Sequence, residues 1–171
     1  MPPTLKSLAV ALLVASPAYA QIAEVPAPVQ PPAGQKAAMT WTGSGDLTYE
    51  CRAKSDNASA FEWAFIGPDA RLTDAKTRAA TGKYYAGPTW EAADGSRITG
   101  KQVGVAPASA GNIPFQLVKA QGGTGAMKDV TYIQRVNTKG GVAPADACNA
   151  SMKGAKKTVP YSADYVFYKA G

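Results

Sequence analysis

An all-β fold is predicted by this sequence: a single antiparallel β-sandwich or barrel-like domain with at most short helices. Apolar and polar residues alternate with a period of two over several short segments, as expected of half-buried strands. Turn-forming residues bound these segments, and 17 glycines and 13 prolines among 171 residues disfavour long helices. A composition that is 46% apolar and 18% charged is typical of one globular domain.

The first 20 residues have the pattern of an export signal. Lys6 precedes an apolar run from Leu8 to Ala15, and Ala18-Tyr19-Ala20 forms a cleavage site with small residues at its ends. A membrane anchor is the weaker interpretation, because about 20 apolar residues are needed to cross a bilayer. We therefore expect a signal peptide over 1–20, cleavage at Ala20, a periplasmic or secreted protein, and no transmembrane segment.

A linker rich in proline and alanine is predicted over residues 21–38. Four prolines lie between Ile22 and Gly34, and they favour an extended, partly polyproline conformation. The all-β domain is expected to occupy residues 39–171.

The first predicted strands of this domain are Leu47–Ala53 and Phe61–Ile66. Alternation in the first strand places Cys51 on the inward face. Pro68 is expected to end the second strand, because proline cannot donate to a sheet ladder.

A hairpin is predicted where Thr89–Ala92 and Ser96–Thr99 flank Asp94-Gly95, a dipeptide suited to the positive φ angles of a tight turn. Eight or nine short strands are expected in all. The later strands are Phe115–Ala120, Val130–Val136 and Ala163–Lys169, and the only helical candidates are short, at Asp69–Ala80 and Ala143–Ala150.

Composition excludes several classes of function. The chain has no histidine, which removes Ser-His-Asp triads, Cys-His dyads and imidazole-ligated metals, so we expect no metal and no cofactor. Removing Lys6 with the signal lowers the formal charge from +6 to +5, the difference between 17 basic and 12 acidic residues. The densest basic group, Lys153, Lys156 and Lys157, has no interleaved aromatics, so no nucleic-acid partner is expected.

Cys51 and Cys148 are the two cysteines of the chain. An even count in an exported protein indicates a disulfide, here closing a loop of nearly 100 residues. A redox-active pair is the alternative, but the Cys-x-x-Cys spacing that favours it is missing.

A cluster of aromatic and acidic residues surrounds the predicted hairpin: Tyr84, Tyr85, Trp90, Glu91 and Asp94. Rings that cover apolar sugar faces and carboxylates that accept hydroxyl hydrogen bonds form a ligand-binding site of the kind a glycan needs. The structural alternative is a core tryptophan, ordinary strand tyrosines and a turn aspartate.

Glu91 and Asp94 are also candidates for a general acid and base pair, although Asp94 occupies a position where turns favour aspartate. Arg135 is a further ligand-binding candidate. It faces the opposite side of its strand from Gln134, and its expected partner is a carboxylate, such as Asp129 or Glu91, or a backbone carbonyl.

Several longer stretches resemble a known family. They are Tyr49-Glu50-Cys51, Tyr85–Ser96 (YAGPTWEAADGS), Val130–Thr138 (VTYIQRVNT), Gly140-Gly141, Ala143-Pro144, Cys148 and Tyr161–Tyr168 (YSADYVFY). Together they resemble the exported bacterial and fungal domain-of-unknown-function family numbered 3455. The resemblance implies an all-β domain outside the cytoplasm and supplies no activity. Many members of that family have histidine where this chain has Tyr84. The difference puts a catalytic role for that position in doubt.

These observations favour an exported, disulfide-linked β domain that binds an extracytoplasmic glycan or small polar ligand without turnover. The alternatives are a carboxylate-based, glycosidase-like hydrolase and a structural envelope protein. The sequence leaves open whether the protein is an enzyme and what its oligomeric state is.

Overall fold

The computed structural model describes residues 25–171, which form one closed antiparallel barrel of eight strands. Each strand is hydrogen-bonded to the next one in sequence, and the last strand pairs with the first, which closes the sheet. The predicted all-β class is therefore confirmed, with barrel rather than sandwich geometry. The strands are β1 (Gln35–Ala53), β2 (Phe61–Asp74), β3 (Ala80–Tyr85), β4 (Thr89–Ala92), β5 (Arg97–Ala106), β6 (Phe115–Gln121), β7 (Val130–Gly140) and β8 (Lys156–Ala170).

The connections between strands alternate between the two ends of the barrel, because neighbouring strands are antiparallel. The end that carries the connections at 54–60, 86–88, 107–114 and 141–155 is called the upper end. The lower end carries the other connections, among them the Asp94-Gly95 turn, together with the start of β1 and the end of β8. Within residues 25–171, no helix is long and apolar enough to cross a membrane.

The barrel interior is filled by large side chains. Leu47 and Cys51 point inward along β1, as the alternation predicts. Trp90, Tyr165 and Phe167 lie at the centre and are each at most 1% exposed. An eight-stranded barrel is just wide enough for its interior to be filled in this way.

Glycines on the inner face of β1 make room for this packing. A Cβ atom on Gly45 would lie 2.1 Å from the carbonyl oxygen of Asp69 on β2. One on Gly43 would lie 2.8 Å from Cε2 of Tyr165. Gly43 therefore makes room for the Tyr165 ring, and Gly45 allows β1 and β2 to approach closely.

The segment before β1 packs on the outside of the barrel. A 3₁₀ turn at Ala27–Val29 buries its last side chain against Leu117 in a second, smaller apolar cluster. Gln134 points outward on β7, and its Nε2 donates to the Val29 carbonyl at 2.7 Å. Part of the segment predicted as a linker over 21–38 thus contacts the barrel, and Gln35 already begins β1. The predicted signal peptide lies outside the described residues.

The second strand continues past Pro68, contrary to the prediction. Its register against β1 shifts between Thr48 and Tyr49, so that Ile66 has no partner and the strand bulges there. Proline is tolerated next to a bulge because the ladder is already interrupted. Pro68 lies opposite Leu47, and the strand ends at Asp74.

Both helical candidates are wrong. Over Asp69–Ala80, the period-two alternation continues with Leu72 buried, and the Asp74 carboxylate then accepts the backbone N–H of Thr77 at 2.8 Å to form a turn. Over Ala143–Ala150 the chain is irregular, and only a 3₁₀ turn follows at Ala150–Met152. The segment Ala143–Ala150 contains a proline, Pro144, which suits a loop rather than a helix.

The long β7–β8 connection at the upper end is fixed to the barrel. The predicted Cys51–Cys148 disulfide is present, with Cα atoms 5.6 Å apart. The indole N–H of Trp63 donates to the Asp146 carbonyl at 3.0 Å. The loop is therefore held on β1 and β2 by both a covalent bond and hydrogen bonds.

Candidate functional site

Tyr84 and Trp90, two members of the aromatic cluster predicted from the sequence, lie inside the barrel. They are cross-strand neighbours on β3 and β4, and their rings stack with centroids 4.6 Å apart. Trp90 also packs edge-on against Tyr165 at 5.6 Å. Trp90 is 1% exposed and thus belongs to the core, whereas Tyr84 reaches a cavity at the upper end.

Tyr85 and Glu91 lie on the outer surface, on the opposite face from Tyr84 and Trp90. The Tyr85 hydroxyl donates to Glu91 Oε2 at 2.6 Å, and Lys83 Nζ lies 3.3 Å from Glu91 Oε1. These two contacts, first the Tyr85 hydrogen bond and then Lys83, lower the pKa of the Glu91 carboxyl below its usual range. Glu91 is therefore a paired surface carboxylate.

Asp94 is at the lower end of the barrel, in the β4–β5 turn. Its carboxylate accepts the backbone N–H of Ser96 at 2.8 Å, which lowers the pKa of the Asp94 carboxyl. This is the turn role that an Asp-Gly dipeptide favours. The structure therefore separates Asp94 from the interior rings, and neither Asp94 nor Glu91 lines the cavity at the upper end.

Arg135 points into the barrel near its upper end, on the opposite face of β7 from Gln134. Its Nε and Nη2 donate to the Pro114 carbonyl at 3.2 and 2.9 Å. A backbone carbonyl was one of the two partners expected for this arginine. Among the described residues, no carboxylate lies within ion-pair distance of Arg135.

A solvent-open cavity of about 210 Å³ lies next to Arg135 at the upper end of the barrel. A second depression adjoins it and shares much of its lining, so the two form one continuous recess. We call this recess the mouth cavity. Its walls and rim include Leu47, Phe65, Tyr84, Gln102, Gln116 and Arg135.

The mouth cavity combines an apolar wall with polar groups. Leu47 and Phe65 form the apolar side, and Phe65 is 53% exposed although it is a large hydrophobic residue. The side-chain amide N–H of Gln116 donates to the side-chain oxygen Oε1 of Gln102. This pairing leaves the amide N–H groups of Gln102 available as donors.

Tyr84 supplies a hydroxyl to the same cavity. Burial raises the pKa of Tyr84 well above its usual value of about 10, and the nearby positive charge of Arg135 opposes part of that rise. The hydroxyl therefore keeps its proton at neutral pH. Burial also raises the pKa of Tyr161, and a hydrogen bond with Tyr165 and the positive charge of Arg135 oppose part of that rise, so the Arg135 charge reaches more than one buried tyrosine.

Sequence reasoning identified Tyr84 and Arg135 but missed the rest of this cavity. Phe65 carried a signal, because it continues the apolar face of Phe61 and Trp63 within the predicted strand. Gln102 and Gln116 carried none, since glutamines on strands usually face solvent. In the part of the chain that the structure describes, no three cysteine, aspartate or glutamate side chains lie close enough together to hold a metal ion.

The fold and the cavity define a closed, disulfide-linked all-β barrel with a recess open at one end. The chain belongs to the family described as Protein of unknown function (DUF3455), whose model matches residues 32–169. This confirms the family resemblance carried by the sequence motifs. Among curated proteins and among solved structures, nothing matches the chain.

Proposed function

We propose that this chain is an extracytoplasmic binding protein that holds a small polar ligand in the mouth cavity. The observation that carries the proposal is the combination, in one open recess, of apolar walls and hydrogen-bonding groups. Ligand sites in proteins have this composition, with mostly apolar linings and a few well-placed polar groups. Phe65 and Leu47 supply the walls, and Arg135, Gln102 and Tyr84 supply the polar groups.

The size of the cavity limits what it can hold. Its two parts have volumes of about 210 and about 280 Å³, and each exceeds the roughly 150 Å³ of an engineered cavity that binds benzene. Sites for drug-sized ligands start at roughly 300 Å³. Each part therefore suits one ring or a molecule of similar size, which favours a small polar ligand over an extended glycan.

Export to the periplasm or the medium is part of the proposal. The signal pattern over residues 1–20 supports it, and the Cys51–Cys148 disulfide fits an extracellular protein because such bonds persist in oxidising compartments. Binding is favoured over hydrolysis because no aspartate or glutamate is among the described residues that line the cavity. A glycosidase needs two carboxyl groups on either side of its substrate.

A fragment screen tests this proposal. Purified, ¹⁵N-labelled protein would be titrated with one-ring molecules of varied polarity while backbone amide shifts are followed. We expect the largest shifts at the mouth cavity. Phe65→Ser should weaken binding of the best fragment, whereas Val103→Ser should not, because Val103 is equally exposed at 53% but does not line the cavity. Shifts confined to other surfaces, or equal losses in both variants, would refute a site at this position.

A further inference from the structure

We propose, building on the binding function above, that the ligand is a small organic carboxylate whose charged group is held by Arg135. Its apolar body would lie against Phe65 and Leu47. The inference concerns the charge of the ligand, which the binding proposal leaves open.

The state of the Arg135 guanidinium is the first support. Arg135 is half-buried at the upper end of the barrel, and the protein partner of its guanidinium is one neutral carbonyl, that of Pro114. Among the described residues no carboxylate lies within ion-pair distance, so the protein does not balance this positive charge locally. An anion in the mouth cavity would supply the missing charge.

The geometry of the guanidinium is the second support. Pro114 occupies the edge formed by Nε and Nη2, which leaves the terminal Nη1–Nη2 edge for a ligand. That planar edge matches the two oxygens of a carboxylate, and such bidentate pairs are among the strongest hydrogen-bonded contacts in proteins.

Two other polar side chains of the cavity offer hydrogen-bond donors. Gln102 retains amide N–H groups after accepting from Gln116, and Tyr84 keeps its hydroxyl proton because burial raises its pKa. None of the lining residues that the structure describes carries a negative charge. The positive formal charge of the whole chain would also attract an anion at long range.

Matched pairs of probes test the inference. Benzoate and cinnamate would be titrated into the purified full chain beside benzamide and cinnamamide, which keep the ring and replace the charged group by a neutral one. We expect the carboxylates to bind roughly tenfold or more tightly, since hydrogen bonds to charged groups are the stronger ones. Amide shifts would show whether binding occurs at the mouth cavity.

Variants at two arginines separate the site from general attraction. Arg135→Gln should remove the preference for carboxylates while leaving the weaker amide binding, and Arg135→Lys should restore only part of it because lysine lacks the planar edge. Arg71→Gln is the matched control, since Arg71 is an exposed strand arginine outside the cavity. Equal loss in Arg71→Gln would overturn the inference in favour of nonspecific attraction.

The remaining outcomes distinguish the two proposals. If carboxylates and amides bind the wild-type cavity equally, the ligand class is wrong and the binding function stands. This comparison needs no variant, so it remains decisive even if Arg135→Gln does not fold. If neither series shifts residues of the mouth cavity while other uncharged fragments do, the carboxylate inference fails alone. If no probe or fragment shifts them, both proposals fail.

Discussion

The rings of Tyr84 and Trp90 stack across the β3–β4 pairing, 4.6 Å between centroids and within 20° of parallel. One face of Tyr84 thus rests on the core, while its hydroxyl end belongs to the mouth cavity. Because the rigid core positions the tyrosine, substitutions at Trp90 affect both stability and the site. Substitutions at Phe65, the exposed residue of the cavity rim, should instead leave the core unchanged.

Trp90→Ala should lower the free energy of unfolding by about 3–5 kcal/mol, the usual cost of removing a fully buried tryptophan. Trp90→Phe should cost clearly less, because the indole Nε1 has no hydrogen-bond partner among the described residues and only volume is lost. Urea unfolding of both variants measures the difference. Equal costs would show that the indole nitrogen makes a contact the structure does not contain.

Gly45→Ala should destabilise the barrel by about 1–3 kcal/mol, because its new methyl group would lie 2.1 Å from the Asp69 carbonyl and force β1 and β2 apart. Ser44→Ala, at the exposed neighbouring position, should change stability by less than about 0.5 kcal/mol. Thermal unfolding of both variants checks this pair. A neutral Gly45→Ala would mean that β1 and β2 are not this close.

Removing the disulfide should cost about 4 kcal/mol or less, since it links cysteines 97 residues apart and so restricts the unfolded chain strongly. The comparison is a Cys51→Ala, Cys148→Ala double variant against the oxidised wild type in denaturant. Reductant should shift the wild type towards the variant and leave the variant unchanged. Two free thiols in the protein purified from its own compartment would contradict the pairing.

Stability should fall above about pH 10. Burial raises the pKa values of Tyr84, Tyr161 and Tyr165 in the folded protein, whereas in the unfolded chain they titrate near 10. Their contribution is complete below the unfolded value and is lost as the pH rises towards the folded values, because only the unfolded state then releases protons. Denaturant unfolding from about pH 8 to about pH 12 measures the slope. Tyr165→Phe should flatten it, and an unchanged slope would assign the effect to other groups.

Glu91→Gln and Tyr85→Phe should leave binding at the mouth cavity unchanged, because their side chains pair with each other on the outer surface. Benzoate titrations of both variants, with Arg135→Gln as the sensitive reference, check the expectation. Loss of binding in Glu91→Gln at preserved fold would return the site to the hairpin and revive the carboxylate-based alternative.

The sequence predicted the all-β class, the hairpin at Asp94-Gly95 and the disulfide because each depends on local alternation, turn chemistry or a cysteine count. It could not predict barrel closure, since pairing of β1 with β8 joins segments far apart in the chain. The bulge beside Pro68 was also hidden, because it depends on the register of two strands rather than on either one alone.

In the candidate site, too, local features could be predicted from the sequence, whereas contacts between distant strands could not. Tyr84, Glu91 and Asp94 were grouped because they are close in sequence. Alternation along the strands puts Tyr84 inside the barrel and Glu91 outside it. Asp94 lies in the β4–β5 turn, at the lower end and away from the mouth cavity. Arg135 joins Phe65 only through the curvature of the closed sheet. Periodicity assigns a side chain to a face of its strand, whereas the neighbours across a barrel are set by shear and closure.

Barrel closure by β8 has a consequence for the chain as it emerges from synthesis. Until residues 156–170 are available, both β1 and β7 present unpaired backbone edges, which are templates for association with other chains. A nascent chain that has released its first seven strands therefore keeps two open edges, and delivery of β8 covers both at once.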